Sequence, residues 1–516
     1  MASADHNRTP ETKPESKAAG IARDSVKLFS SRFAVGLWSL VFSALLVRLL
    51  TKPELALLPV YALITGVGET VAGLGLSSWS LRMVPRLRAE GKEEEALGLQ
   101  RACARGQILG GTAVAIIVAA AAKPLSHLFF KSPHYDSLLL ALAPAVFFAV
   151  LANQFGVLLQ SMGRFGPCSV GTLLLGALPV TFAVPLCAAY GVWGLPPAIA
   201  AGSFFACAYV AWHHWRSVRG PARHIPLWSA FRDSRHFYGA SLFQAVQNRA
   251  DVLLLGIFTT PDLLAVYYVA SKLTGYLQML AGSVSQAALP RIGELQAEDE
   301  TSRAAGISEV FRYCLLAMLP ICALLIGLAP LFIRVYAGYG YEQAVLPMQL
   351  LCLHSAGVAI YAMLRAIILV TAPTRAMLRL HATSAAINSL AIGLGAYLWG
   401  VLGVSAGLAA AIVVLCWVAY RLLDPALAKL AWAGNTSIIL ASCVTCGLAG
   451  LLAWSVWQRD YMLVWPVAIA LVVAVGWTLR TLRPADRAIV WAVLPRIARS
   501  RAAWLAAAWR GTRAVG

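Results

Sequence analysis

Long apolar stretches alternate with short polar ones along the whole chain. The apolar windows fall near residues 30–50, 55–80, 104–122, 137–160, 168–189, 192–212, 237–259, 262–290, 310–329, 343–364, 376–398, 400–420, 434–456 and 461–479. Each is about 20 residues long, the length of α-helix that crosses a bilayer's hydrocarbon core. The pattern therefore predicts fourteen transmembrane helices, spans 1 to 14, and an even number places both termini on one side. Residues 1–27 are polar and of mixed charge, without the short apolar core and small-residue cleavage site of a signal peptide, and are expected to form a disordered cytoplasmic tail. The basic stretch 214–236 links spans 6 and 7. Residues 481–516 mix arginines with Trp491, Trp504 and Trp509, the pattern of a basic amphipathic tail lying at a membrane surface.

Composition agrees and excludes a water-soluble fold. Of 516 residues 59% are hydrophobic and 13% charged, whereas soluble domains are roughly 45–50% apolar and about 25% charged. The net charge of +19 would suggest nucleic acid in a soluble protein, but here its placement explains it. Lys and Arg collect in the N-terminal tail, in 82–105, at Arg164, in 216–235, 291–312, 365–379 and 421–429, and from Arg480 onward. These segments all lie on one side of the predicted topology. The opposite segments hold only Lys52, Lys123, Lys131, Arg334 and Arg459; with Arg32, Arg105, Arg312 and Arg379 counted to the cytoplasmic side at the ends of their spans, Arg48, Arg249 and Lys272 are left for the membrane interior. By the positive-inside rule the basic side and both termini are cytoplasmic. The charge faces an anionic leaflet, and no nucleic-acid partner is needed.

The ten cysteines are scattered, several inside apolar stretches (Cys168, Cys187, Cys207, Cys322, Cys416), and no disulfide framework follows. Cys443 and Cys446 form a CxxC in mid-span without nearby His or acidic residues, and read as packing. His213, His214 and His224 lack a zinc spacing. No phosphate loop, dinucleotide fingerprint or nucleophile motif appears, so neither an enzyme nor a bound cofactor is expected.

An internal repeat organises the spans. Thr51-Lys52-Pro53-Glu54-Leu55 is echoed by Thr259-Thr260-Pro261-Asp262-Leu263, Pro85-Arg86-Leu87 by Pro290-Arg291-Ile292, Tyr135-Asp136 by Tyr341-Glu342, and Gly191-Val192-Trp193-Gly194 by Gly400-Val401-Leu402-Gly403. The offsets are nearly constant and the order is kept, so spans 1–6 and 7–12 are two copies of one bundle. The expected domains are an N-lobe at 28–213, a C-lobe at 237–425 and two further spans at 434–480. Two parallel copies around a central cavity are the plan of two-lobed transporters.

Certain stretches resemble a known family. Asp251-Val252-Leu253-Leu254-Leu255-Gly256 followed by Tyr267-Tyr268-Val269-Ala270-Ser271-Lys272-Leu273 is similar to the second-lobe signature of the polysaccharide transporter (Wzx-type) flippases. Val47-Arg48-Leu49-Leu50, the glycines at 66, 68, 73 and 75, Arg82, and the stretch Asn388–Gly403 agree with it. The resemblance covers about residues 28–425 and departs at Leu58-Pro59-Val60-Tyr61. Many members stop at twelve spans, while fourteen is shared with lipid II flippases. It implies an all-α flippase of the inner cell membrane that moves a polyprenyl-pyrophosphate-linked oligosaccharide to the outer leaflet by alternating access. Polysaccharide polymerase and glycosyltransferases would be its partners, a proton or sodium gradient could drive it, and the chain is expected to be monomeric. Lipid II export and multidrug cation antiport are the alternatives within the same superfamily.

Ionisable groups at membrane depth mark the candidate site, since burying each without a wet cavity or partner is costly. On span 7, Gln244, Gln247, Asn248 and Asp251 share a helical face, with Arg249 about 100° away. On span 8, Tyr268, Lys272, Tyr276, Met279, Ser283 and Gln286 share another. Arg249 and Lys272 are the candidate cations for a diphosphate, and Tyr268 and Tyr276 the candidate stacking surfaces for sugar rings. Asp251 either lines the cavity or pairs with Lys272 or Arg249. Glu69 either couples to a cation or pairs with Lys272. Arg48 either binds phosphate or snorkels to the outer interface. Asn153, Gln154 and Asn388 read as inter-helix hydrogen-bonding groups, and Tyr267 as packing.

Overall fold

The computed structural model describes residues 35–36, 38–294, 300–371, 374–423 and 436–457, with isolated positions 467, 470 and 471. No strand occurs among them. The helices are α1 (Trp38–Leu49), α2 (Leu57–Gly73), α3 (Leu76–Ala89), α4 (Glu93–Ala120), α5 (Ala122–Phe130), α6 (Asp136–Ser161), α7 (Phe165–Tyr190), α8 (Leu195–Ser217), α9 (Leu227–Phe258), α10 (Pro261–Glu294), α11 (Glu300–Ala337), α12 (Val345–Thr371), α13 (Thr374–Leu422) and α14 (Thr436–Trp457). The fold is that of an all-helical polytopic membrane protein. Spans 1 to 13 fall on these helices. Span 14 and both tails lie outside the described residues.

Among the described residues, seven helical stretches are long and apolar enough to cross a membrane on length and composition alone. Two of them, Phe165–Ser217 and Arg379–Leu422, each contain a pair of predicted spans. Helices α1 and α14 are apolar but shorter. Helices α9 and α10 are missing from the seven because their polar residues dilute the apolar run, and these carry most of the candidate site.

Span 2 departs from expectation. The pattern predicts one helix over 55–80, but the chain turns left-handed at Leu74 (φ 48°) and Gly75 (φ 73°), ending α2 and starting α3. A left-handed leucine is disfavoured by about 1–2 kcal/mol, and the surroundings compensate. Ser234 Oγ donates to the Leu74 carbonyl at 2.9 Å, and Gln154 Nε2 donates to the Glu69 carbonyl at 2.6 Å. Ser77 Oγ bonds Gln154 Oε1 and accepts from Gln107 Nε2 at 3.2 Å. Backbone groups freed by the break thus find side-chain partners within the bundle, as they must where no water reaches them. Gly75 is also where α9 comes closest, since a Cβ there would sit 2.6 Å from the Ser234 carbonyl.

The chain divides into two compact units. The first contains the described residues up to Leu273, with Tyr336–Tyr341 and Asn388–Gly407. Its packing centres on Leu76, Leu99, Phe155, Leu158 and Leu159, all buried, while Leu109, Ile116 and Ile117 of α4 are exposed as a lipid-facing stripe requires. Small residues bring backbones together, as where Gly110 meets the Ala72 carbonyl. At the turn after α3, Glu90 pairs with Lys92 (2.8 Å) and Arg86 (2.9 Å), which holds its carboxyl below the usual range.

The second unit contains Thr274–Val335, Glu342–Ile387 and the described residues from Leu408 onward. Gly327 of α11 packs directly on the α14 backbone at Cys446 and Gly450, and Gly357 of α12 on Ile412. Gln349 donates to the Ile326 carbonyl at 3.0 Å. Beside these contacts runs an apolar groove of about 390 Å³ whose walls include Pro330, Cys446 and Trp454. Cys443 and Cys446 are free thiols.

The internal repeat is present in the backbone. Gly191 has φ 59° and ψ −145°, and Gly400 has φ 57° and ψ −129°, a region essentially restricted to glycine. Three residues on, a Cβ on Gly194 would strike the Leu186 carbonyl and one on Gly403 the Gly395 carbonyl, the same eight-residue approach in both copies. A short 3₁₀ turn precedes α6 at Pro133–Tyr135 and α12 at Glu342–Ala344.

Candidate functional site

Within the first unit, α2 and α9 face each other across a cavity of about 480 Å³. Gly66, Glu69 and Thr70 line it from α2, at i, i+3 and i+4. Ser241, Ala245, Asn248 and Arg249 line it from α9, at i, i+4, i+7 and i+8. Both sets are single helical stripes. The sequence pattern separated Arg249 from the Asn248 face by about 100°, yet both reach the cavity, because a stripe spans that angle and the Arg side chain is long. The absence of a side chain on Gly66 makes this possible: a Cβ there would lie 3.2 Å from Arg249 Nε.

Glu69 and Arg249 line the same cavity with opposite charges. Glu69 Oε1 accepts from Asn153 Nδ2 of α6 at 2.5 Å, while the next residue, Gln154, holds the Glu69 carbonyl. The side-chain hydrogen-bond donor to Glu69 is therefore Asn153, a pairing that neither sequence alternative for Glu69, coupling to a cation or pairing with Lys272, names. Asp251 accepts from Tyr267 Oη at 2.6 Å. Tyr267, expected only to pack, is 2% exposed and supplies that hydrogen bond. The Lys272 ammonium lies over the Tyr268 ring at 5.4 Å from its centroid, one turn away on α10.

Of the nine candidates, the structure brings Glu69, Asn248 and Arg249 to one cavity. Asp251, Tyr268 and Lys272 share the first unit but lie outside that lining. Tyr276 belongs to the second unit. Arg48 is exposed near the end of α1, as an interfacial side chain would be. The side chain of Gln247, with those of Gln244, Ser283 and Gln286, lies outside the described residues. Gly66, Thr70 and Ser241 went unremarked as site residues in the sequence, although Gly66 and Thr70 flank Glu69 at helical spacing. Chemically the cavity offers a guanidinium fork suited to phosphate or carboxylate, a carboxylate beside it, and amide and hydroxyl groups able to bond a polar solute. Among the described residues no group of three or more His, Cys, Asp or Glu is placed to hold a metal ion.

Helices of membrane-crossing length, with a charged cavity between α2 and α9, define an all-helical polytopic membrane protein. Solved structures share that fold. The lipid II flippase MurJ in an inward closed conformation is 14% identical, with a TM-score of 0.66 over 90% of this chain and 100% of that one. A multidrug resistance MATE transporter of the MOP superfamily, inward-facing, is 15% identical with a TM-score of 0.58 over 80% and 99%. The MATE transporter VcmN of Vibrio cholerae in its bent form is 16% identical with a TM-score of 0.52 over 80% and 98%. No curated protein matches in sequence. The profile of a family described as polysaccharide biosynthesis protein matches residues 45–346, more than half of the chain. The chain belongs to that family.

Proposed function

We propose that this protein is a flippase that carries a polyprenyl-pyrophosphate-linked oligosaccharide from the cytoplasmic to the outer leaflet of the inner membrane by alternating access. A diphosphate and its sugars cannot cross about 30 Å of hydrocarbon unaided, and the protein supplies a polar path while the lipid tail stays in the bilayer. Membership of a polysaccharide biosynthesis family supports the substrate class, and the likeness to a flippase fold supports the mode. The observation that carries the reading is Arg249 on the wall of a polar cavity, its fork available to a phosphate across Gly66. Lys272, stacked on Tyr268, is a second cation on the substrate's route, and Glu69 is the group through which an ion gradient would act. In this reading both termini are cytoplasmic, and glycosyltransferases and a polymerase act before and after the transport step.

Reconstitution into liposomes with a fluorescent pyrophosphate-linked oligosaccharide tests it. The wild-type protein should expose label to an external quencher. Arg249→Ala and Lys272→Ala should abolish this with normal insertion, and normal flipping in both variants would exclude the site.

Two observations favour specific alternatives. The extent of the MurJ likeness favours a lipid II flippase, which would rescue cells depleted of their own. The carboxylate of Glu69 in the cavity favours a cation antiporter, which would lower dye accumulation in cells.

A further inference from the structure

The turns that the basic-residue bias assigns to the outer side interlock in a reciprocal way. Lys131, in the turn between spans 3 and 4, donates from Nζ to the Thr259 carbonyl at 2.9 Å. Thr259 ends α9, is 6% exposed, and opens the turn between spans 7 and 8. Its carbonyl is one of the groups a helix leaves unsatisfied at its C-terminus, where a cation is favoured. In the other direction, the turn between spans 9 and 10 meets the first span and the turn that follows it. Tyr336 Oη and Ser43 Oγ are hydrogen-bonded at 2.8 Å, both buried, and the Lys52 ammonium lies 5.3 Å from the centroid of the Tyr341 ring.

These contacts join equivalent segments under the internal repeat, through different residues. Thr51 and Thr259 are equivalent positions, and the turn holding Lys131 is equivalent to that holding Tyr336–Tyr341. In each case the turn between the third and fourth spans of one copy grips the first span or first turn of the other. The chemistry is also of one kind: two hydrogen bonds and a cation–π contact, each worth little singly and each reversible. The first unit's interior is different, resting on a contiguous cluster of large apolar side chains.

We propose that Ser43, Lys52 and Lys131, with Tyr336, Tyr341 and Thr259, form a two-sided latch that shuts the outer end of the passage, and that release to the outer leaflet requires both halves to let go. The latch presupposes that the protein is a transporter but not which solute it moves. Because its halves are equivalent and individually weak, loss of either should bias the protein toward the outward-open state.

The test uses the full-length protein in membranes. Asn248→Cys, on the cavity wall, reports access to a membrane-impermeant maleimide added from the outer side, with the unsubstituted chain as background. Ser43→Ala and Lys131→Met, each combined with that reporter, should raise labelling about fivefold per hydrogen bond lost. Paired Ser43→Cys and Tyr336→Cys, bridged by a short bis-methanethiosulfonate that makes up the reach lost with the phenol, should hold labelling at the closed level until reductant is added. The paired variant keeps the test valid if the single ones insert poorly. Unchanged labelling in both unlatching variants, or free labelling of the bridged pair, overturns the latch. A full labelling response without any glycan flipping supports the latch while excluding the flippase reading.

Discussion

The Arg249 guanidinium lies across Gly66, on the opposite wall of the cavity, where a Cβ at position 66 would come within 3.2 Å of its Nε. One residue's lack of a Cβ thus sets another's position. Gly66→Val should therefore mimic Arg249→Ala. Flipping in liposomes is expected to fall at least tenfold in both, with membrane insertion unchanged, and Gly66→Ala should fall between them and wild type.

Arg249→Lys separates charge from geometry. A lysine keeps the charge but loses the planar fork that engages two oxygens at once. Partial flipping, several-fold below wild type and above Arg249→Ala, is expected from titrating the labelled substrate in the liposome assay.

Asn153 holds Glu69 at 2.5 Å. Asn153→Leu leaves the cavity carboxylate without that donor and should lower stability by about 0.5–1.5 kcal/mol, read as a reduced melting temperature in detergent. Asn153→Asp, which sets a second carboxylate against the first, should be worse at neutral pH than Asn153→Leu.

Gly75 and Gly91 form a matched pair. Both are left-handed, at φ 73° and 75°, but a Cβ at 75 meets backbone at 2.6 Å while at 91 nothing lies within 4 Å. Gly91→Ala is expected to lose about 1 kcal/mol from conformation alone. Gly75→Ala should lose clearly more, because the contact between α9 and the break in span 2 must open. Parallel thermal melts check the difference.

Gly191→Ala and Gly400→Ala should each destabilise by about 1–3 kcal/mol, and by similar amounts, since the two residues share one backbone conformation. A large loss at one position and none at the other would show that the shared geometry does not carry a shared load.

Much of this architecture is readable from the chain because hydrocarbon demands long apolar runs, and the repeat shows in short turn motifs whose glycines the backbone requires. What stays hidden has physical causes. The break at Leu74 has only Gly73 and Gly75 to signal it within an unbroken apolar run, and the hydrogen bonds that satisfy the freed carbonyls come from Ser234 and Gln154, far away in sequence. Periodicity separates the faces of one helix but does not say which face meets which neighbour. Glu69 is visible as a costly membrane carboxylate, while its hydrogen bond from Asn153 and its place on one cavity with Arg249 are tertiary matters. Tyr267 looks like packing because burial and a single hydrogen bond to Asp251 leave the same trace in a sequence, and the width of the cavity stripe explains why Arg249 stands beside Asn248.

The reciprocal gripping of the turns also says something about ancestry. An ancestral chain of half this length, carrying one such turn and one such grip, could have closed on a second molecule of itself as a symmetric pair. Fusing the two genes end to end would then have required no new contact at the outer face. Under such a fusion the corner at 191 and 400 would have kept glycine in both copies, because its backbone conformation is essentially restricted to that residue.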